Sequence, residues 1–123
     1  MHTRRRHALL ALLALVASVG AAPARAADRE FSLQVANGRV PEGMRALRVT
    51  QGDSVRLLWS VDRPVVLHLH GYDIEKRAEP GTTAEMVFVA RASGRFPVHV
   101  HPVAAAGERS REETLLYVEV YPR

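Results

Sequence analysis

Apolar and polar residues alternate along most of the chain after residue 30. In "SVRLLWSV" (54–61), Val55, Leu57, Trp59 and Val61 stand at every second position, which is the period of a strand with one buried face. Six further segments have strand-like sequences, and they are 31–35, 47–49, 65–69, 84–90, 95–100 and 114–120. No segment of this region has the 3.6-residue apolar period of a helix. The pattern therefore predicts an all-β chain.

Turn-forming residues separate these segments. They are Asn37-Gly38, Pro41-Glu42-Gly43, Gln51-Gly52-Asp53, Asp62-Arg63-Pro64, Glu79-Pro80-Gly81 and Ser93-Gly94. Seven or eight short strands divided by such turns favour a single antiparallel β-sandwich or barrel. The longest segment without a strand signal is 102–113, which consists of small and charged residues and predicts a surface loop before the last strand.

The first 26 residues follow a different pattern. A basic start (Arg4–Arg6) leads into an apolar run (8–19), and Ala24-Arg25-Ala26 follows. This order is typical of a cleaved secretory signal, and the run is too short for a spanning helix, which needs about 20 residues. We therefore expect residues 1–26 to be a signal peptide. Residues 27–123 would then form one exported domain, periplasmic or secreted.

Charge and cysteine content narrow the possible functions of that domain. The whole sequence has 17 Lys and Arg against 13 Asp and Glu, a net charge of +4. Four of the basic residues and none of the acidic ones fall in residues 1–26, which leaves 13 of each sign. A balanced domain lacks the basic surface that nucleic acids or anionic membranes attract, so we expect neither partner. The chain has no cysteine, which excludes disulfides and thiolate ligands.

The histidines of the predicted domain occur in two H-x-H pairs. "VVLHLH" (65–70) contains one pair and "FPVHVH" (96–101) the other, so that the four are His68, His70, His99 and His101. Because side chains alternate between the faces of a strand, both imidazoles of a pair project from one side. The apolar residues between them project from the other.

Two interpretations of these pairs are open from spacing alone. Neutral imidazole is a common ligand of Cu²⁺ and Zn²⁺, so the four histidines would form a metal site if the two strands were neighbours. If the strands are not neighbours, the pairs decorate a solvated sheet face. Strand adjacency decides between the two, and the spacing does not reveal it.

The order of these segments resembles that of the cupredoxins. "LRVTQGDSVRLLW" (47–59), "HGYDI" (70–74), "AEPGTTAEMVFVARASGRFPVHV" (78–100) and "TLLYVEV" (114–120) are similar to successive blocks of that family. The similarity covers nearly the whole predicted domain. It implies a Greek-key β-sandwich related to plastocyanin and azurin, in which the strands of the first copper histidine and of the cysteine lie together at one end.

The resemblance also implies what the chain lacks. His70 matches the first copper histidine of the family, and Val100 stands where the family has its cysteine. A blue-copper site needs a thiolate, which valine cannot replace. The segment 102–113, which in the family supplies a second histidine and a methionine, contains neither. The resemblance therefore implies a cupredoxin frame without blue copper.

These observations lead to a first hypothesis about function. The exported chain would bind a metal ion, copper above all and otherwise zinc or nickel, for handling or delivery, with a periplasmic protein as a further partner. The expected ligands are His70, His101, His99 and His68. Three carboxylates could complete the site or orient the imidazoles, and they are Asp73, Glu75 and Glu108.

The alternative hypothesis is a metal-free cupredoxin-like interaction module, in which the histidine pairs lie on the surface. An enzyme is the least favoured class, because none of the serines lies in a nucleophile-elbow sequence. A histidine-ligated copper oxidase would be the exception. We therefore expect a binding protein rather than a catalyst.

Overall fold

The structure is a computed structural model, and it describes residues 14–18, 20, 26–103 and 111–123. Most of the predicted signal peptide and Glu108 lie outside these residues. The described elements are β1 (Asp28–Val35), a 3-10 helix (Glu42–Met44), β2 (Ala46–Thr50), β3 (Ser54–Val61), β4 (Val65–Leu69), β5 (Ile74–Ala78), β6 (Ala84–Val89), β7 (Gly94–Pro102) and β8 (Glu113–Tyr121). Within the described ranges, no helix has the length and apolar content needed to cross a membrane.

The eight described strands form two sheets. One sheet has the order β1-β3-β6, and the other has the order β2-β8-β7-β4-β5. This confirms the predicted all-β sandwich, but the pairing is not wholly antiparallel. β1 runs parallel to β3, and β2 runs parallel to β8. Parallel neighbours need a crossover, and the chain provides one by passing through β2 in the opposite sheet between β1 and β3.

The core lies between the two sheets. β3 buries Val55, Leu57, Trp59 and Val61, as its alternating sequence predicts. The five-stranded sheet contributes inward side chains from β4, β7 and β8, among them Leu67, Leu69, Val98, Val100, Leu116 and Val118. Each such side chain stabilises the fold by about 1.5–3 kcal/mol on burial. An inward set of this size fixes which residues of β4 and β7 point outward.

A tight turn ends β4 and leads into β5. Gly71 has φ +85°, and a Cβ at this position would overlap the ring of Phe96. The preceding residue, His70, donates its backbone N–H to the carbonyl of Pro97 over 3.0 Å. Asp73 adopts φ +56° in the same turn. The turn therefore holds His70 against β7 and brings Asp73 back beside β4.

A second turn, between β2 and β3, is organised by Asp53. Among the described residues Asp53 is the one buried charged side chain, with 3% of its surface exposed. Its carboxylate accepts the backbone N–H groups of Thr50 at 2.9 Å and of Ala27 at 3.0 Å. Burial raises the pKa of Asp53, but these two donors and the nearby Arg123 together lower it by more. The pKa of Asp53 therefore lies below its ordinary value.

We expect Asp53→Asn to lower the free energy of unfolding by about 1–3 kcal/mol near pH 7, since two backbone donors lose a charged acceptor. A depressed folded-state pKa contributes stability above the unfolded-state pKa of about 3.9, and this stability is lost as the pH falls through the folded-state value. Urea unfolding should show that the free energies of unfolding of Asp53→Asn and of the unsubstituted protein differ less at about pH 2.5 than at about pH 7. The exposed Asp28→Asn variant is the control, and an equal loss at both pH values would contradict the role of the ionised carboxylate.

Candidate metal centre

The two histidine pairs lie on neighbouring strands. β4 and β7 pair in antiparallel fashion, with His68 opposite His99 and Val66 opposite His101. His70 follows at the end of β4, one outward position beyond His68. All four histidines therefore lie on the outer face of the five-stranded sheet, and the strand adjacency on which the metal hypothesis depended is present.

The ring of His70 contacts the rings of both His68 and His99. The ring centroids of His68 and His70 are 4.1 Å apart, and those of His70 and His99 are 4.2 Å apart. Their side chains keep only 25%, 37% and 24% of their surface exposed, in the order His68, His70, His99. His101 occupies the next outward position on β7, about 7 Å along the strand from His99. The contacting rings thus form a partly desolvated cluster.

The carboxylate of Glu112 lies over this cluster. Its Oε1 is 3.3 Å from His99 Nδ1, 3.6 Å from His70 Nε2 and 4.0 Å from His68 Nδ1. The potential ligand atoms of His68, His70 and Glu112 all lie within 4.8 Å of one another. Three ring nitrogens therefore converge on one oxygen. We use the term histidine–glutamate cluster for His68, His70, His99 and Glu112.

A β-bulge places Glu112 on this face. Val98 pairs with Leu116 but His99 pairs with Thr114, so β8 carries one extra residue, Leu115. Leu115 and Leu116 are both buried, with 3% and 1% of their surface exposed. Strict alternation from Leu116 would have turned Glu112 toward the core. The extra residue reverses the alternation before it and brings Glu112 to the histidines.

Glu112 is not among the carboxylates expected from the sequence, which are Asp73, Glu75 and, from the same segment as Glu112, Glu108. A bulge in β8 leaves no local signal in "EETLLYVEV", apart from two adjacent leucines at a strand start where one polar residue would be expected. That doubled apolar position is the feature that could have indicated the bulge.

Two ring nitrogens of the cluster are buried without a hydrogen-bond partner. They are His70 Nε2 and His99 Nδ1, and both point toward Glu112. The 3.3 Å contact of His99 is not aligned as a hydrogen bond, so we treat it as electrostatic. A buried polar atom without a partner costs about 1–3 kcal/mol. A cation between these nitrogens and the carboxylate would satisfy both.

Glu112 has the charge state that a carboxylate ligand of a metal ion needs. Partial desolvation raises the pKa of Glu112, but His99, and after it His70, lower it by more. The net pKa of Glu112 lies below its ordinary value. The side chain is therefore ionised at neutral pH and can act as a carboxylate ligand without first losing a proton.

Two further carboxylates border the cluster. Asp73 Oδ1 lies 3.7 Å from His68 Nε2, the ring nitrogen that is not directed at Glu112. A carboxylate at the far nitrogen of a ligating imidazole fixes the orientation of the ring. Glu75 stands opposite His68 on β5. Asp73 and Glu75, two of the carboxylates considered from the sequence, therefore lie beside His68.

His70 and Val100, the two positions matched to copper ligands by resemblance, do not share a site. Val100 pairs with Leu67 and is buried on the inner face with 5% exposed. His70 is three residues farther along β4, about 10 Å, and on the outer face. The strands that carry them are neighbours, as the resemblance implies. In this antiparallel pair the end of β4 meets the start of β7, so His70 and Val100 lie apart along the strands and on opposite faces.

The chain was compared with known proteins. No protein-family model matches it, and no curated protein matches it. Solved structures do match in fold. A chain of a heme-copper terminal oxidase dimer superposes with a TM-score of 0.56 and 19% identity, covering 76% of this chain and 64% of that chain. Blue Copper Oxidase from Nitrosomonas europaea gives 0.55 and 20%, with 78% and 39% covered.

A smaller protein matches over most of its own length. A copper binding protein, solved in its apo form by NMR, gives a TM-score of 0.54 and 9% identity over 74% of this chain and 85% of that one. The chain spans less than two thirds of each oxidase chain described above. At these identities the similarity concerns the fold alone. The described domain has a cupredoxin-like fold.

Proposed function

We propose that the chain is an exported metal-handling protein that binds one transition-metal ion, copper above all, at the histidine–glutamate cluster. The observation that carries the proposal is the convergence of three imidazole nitrogens on Glu112 Oε1 over 3.3–4.0 Å. The cluster lies on a different face from Val100. It therefore forms a separate site and not a blue-copper site with one ligand replaced.

The distances from the three ring nitrogens to Glu112 Oε1 are close to the separations between ligand atoms around a bound ion. Two ligand atoms, each about 2.0 Å from one ion, are about 3.3 Å apart in a tetrahedral site and up to about 4 Å apart in a square-planar one. The three nitrogen–oxygen distances of the cluster fall in this interval.

The donor set favours a divalent ion. Imidazole nitrogen and carboxylate oxygen suit Cu²⁺, Ni²⁺ and Zn²⁺, and Cu²⁺ binds most strongly of the three in the general affinity order. Sulfur is the donor that favours Cu⁺, and the described methionines do not supply it here. Met86 is fully buried in β6, and Met44 packs against the core. Copper in the oxidised state is thus the best match, with zinc and nickel behind it.

The position of the cluster favours exchange over catalysis or long-term storage. Glu112 keeps 43% of its side-chain surface exposed, and the three imidazoles also reach solvent. A partner protein can approach such a site and take over ligands one at a time. The structural match to a copper binding protein supports this role for the fold. We therefore propose that the chain handles the metal or delivers it to a protein partner in the compartment to which it is exported.

A metal-free interaction module is the second candidate, and one observation favours it. The ionised Glu112 can itself neutralise a protonated imidazole, since His99 Nδ1 lies 3.3 Å away. An ion pair of this kind would hold the cluster together without a metal. Metal stoichiometry separates the two candidates.

We expect residues 27–123, saturated with Cu²⁺ and freed of excess metal, to retain about one ion per chain by elemental analysis. His70→Ala and His99→Ala should each weaken binding beyond the 10–100-fold loss that is typical when an orienting partner is removed. The loss of affinity in Asp73→Asn should lie near the lower end of that interval, because Asp73 contacts a ligand and not the ion. A chain that retains no metal, or a His70→Ala, His99→Ala variant that retains it unchanged, would rule out this site.

Glu112→Gln should weaken Cu²⁺ binding by about tenfold or more, since it keeps the shape of the side chain and removes the anionic donor. Glu113→Gln is the matched control, because Glu113 is the next residue, pairs with Val100 and belongs to the opposite face. Calorimetric titration gives both affinities. Equal losses in the two variants would show that Glu112 acts only through overall charge.

Electron paramagnetic resonance of the Cu²⁺-loaded chain should show hyperfine coupling to three imidazole nitrogens. His99→Ala should reduce the number to two, because His99 Nδ1 is one of the convergent atoms. His101→Ala serves as the comparison, and it tells whether the fourth histidine also coordinates. A spectrum unchanged in His99→Ala would contradict the proposed ligand set.

A further inference from the structure

The residue that follows the predicted cleavage point contacts the buried charge of the fold. Ala27 donates its backbone N–H to Asp53 Oδ1 over 3.0 Å. Its carbonyl accepts the N–H of Ser54 over 3.0 Å. β1 begins at the next residue, paired with β3. Both the N–H and the carbonyl of Ala27 are thus held by hydrogen bonds, directly before the first residue of β1.

The sequence places a processing point at the same bond. Ala24-Arg25-Ala26 is the small-x-small pattern that precedes signal cleavage. Cleavage after Ala26 leaves Ala27 as the first residue. Both Ala26 and Ala27 are exposed, so the bond between them lies outside the core. Two independent features, one in the sequence and one in the fold, therefore coincide at the nitrogen of Ala27.

We infer that removal of the signal peptide at Ala26–Ala27 creates an ion pair between the new α-ammonium group and the buried carboxylate of Asp53, which locks the mature domain. Water is the co-reactant of the cleavage. Hydrolysis breaks the C–N bond, leaves a carboxylate on Ala26 of the released segment, and leaves an amino group on Ala27 that is protonated at neutral pH. An N–H donor to Asp53 becomes a charged N–H donor at the same place.

The surroundings of Asp53 determine the size of the effect. Arg123, after β8, places Nη2 3.4 Å from Asp53 Oδ1, and the positive charge of Arg29 in β1 also helps to lower the pKa of the carboxylate. The ammonium therefore shares its partner with two guanidinium groups. The Ala27 nitrogen, at 3.0 Å, is closer to Oδ1 than Nη2 of Arg123 is. Charge-assisted hydrogen bonds are about twice as strong as neutral ones, so the processed chain should be more stable than the unprocessed one.

Stability of two forms of one sequence tests the inference. Lys76 is the sole lysine of the chain, so in a Lys76→Arg background of residues 27–123 the α-amine is the only amine that an acetylating reagent can modify. Acetylation keeps the N–H donor of Ala27 and removes its charge. The unfolding equilibrium constant of the acetylated form should be about five- to tenfold larger near pH 7, where one pKa unit corresponds to a factor of ten.

Comparing the stabilities of the acetylated and unacetylated chains at higher pH tests whether the charge of the α-ammonium group causes the difference. An α-amino group titrates near about pH 8 in an unfolded chain, and a folded-state partner shifts its loss of charge upward. The stability gain should be complete below that pH and vanish above about pH 10. Equal stability of the two forms at neutral pH, or a difference that persists above about pH 10, would overturn the inference.

Two further variants confirm the partner. In Asp53→Asn, acetylation should leave the stability unchanged, because the carboxylate is absent. If that variant does not fold, a chain that begins at Ala26 replaces it, since this keeps the Ala27 N–H and moves the ammonium about 3.8 Å away. The longer chain should match the acetylated form in stability. A longer chain as stable as the processed one would show that the position of the ammonium is irrelevant.

The site of cleavage is tested on the full chain. When all 123 residues are expressed in a bacterium, the intact mass of the exported product should correspond to a chain that begins at Ala27. A product that begins at any other residue would overturn the inference, since its ammonium could not reach Asp53 from the position of the Ala27 nitrogen.

Discussion

The antiparallel pairing of β4 with β7 is the interaction on which the rest of the site depends. Leu67 pairs with Val100, and both side chains are buried. Because side chains alternate strictly along a strand, burying this row forces the neighbouring row, which contains His68 and His99, to the outer face. A slip of one residue would bury the imidazoles and expose the leucines. The apolar core thus fixes the register, and the register brings the histidines together.

The outer face around the cluster is otherwise balanced in charge. Glu119 lies between Arg48 and Arg95, at 3.7 Å and 3.8 Å. Arg95 also stacks over the ring of Tyr117 at 3.6 Å. These contacts satisfy the charges of that part of the sheet from within the protein. In the histidine–glutamate cluster, by contrast, two buried ring nitrogens have no hydrogen-bond partner, which is why this part of the face is suited to a ligand.

The proposed metal site and the proposed ion pair at Asp53 lie in separate parts of the domain. The histidine–glutamate cluster lies on the outer face of the five-stranded sheet, while Asp53 closes the turn between β2 and β3. They share no residue, so either can fail without affecting the other. Both depend on the same physical rule, that a polar atom taken from water needs a partner. At Asp53 the chain itself supplies the partners, whereas at the histidines it leaves room for one.

The sequence by itself determined the strands with clear alternation, and the bounds of β3 and β4 agree with the segments predicted from it. It missed the edge strand β5, because "IEKRA" buries only Ala78 and shows no alternation. The resemblance to cupredoxins implied that β4 and β7 are neighbours, but only the tertiary structure showed their register and the position of Glu112 beside the histidines. The register of β4 with β7 and the bulge at Leu115 arise from packing between segments that are distant in sequence. The local periodicity of the sequence does not reveal such contacts.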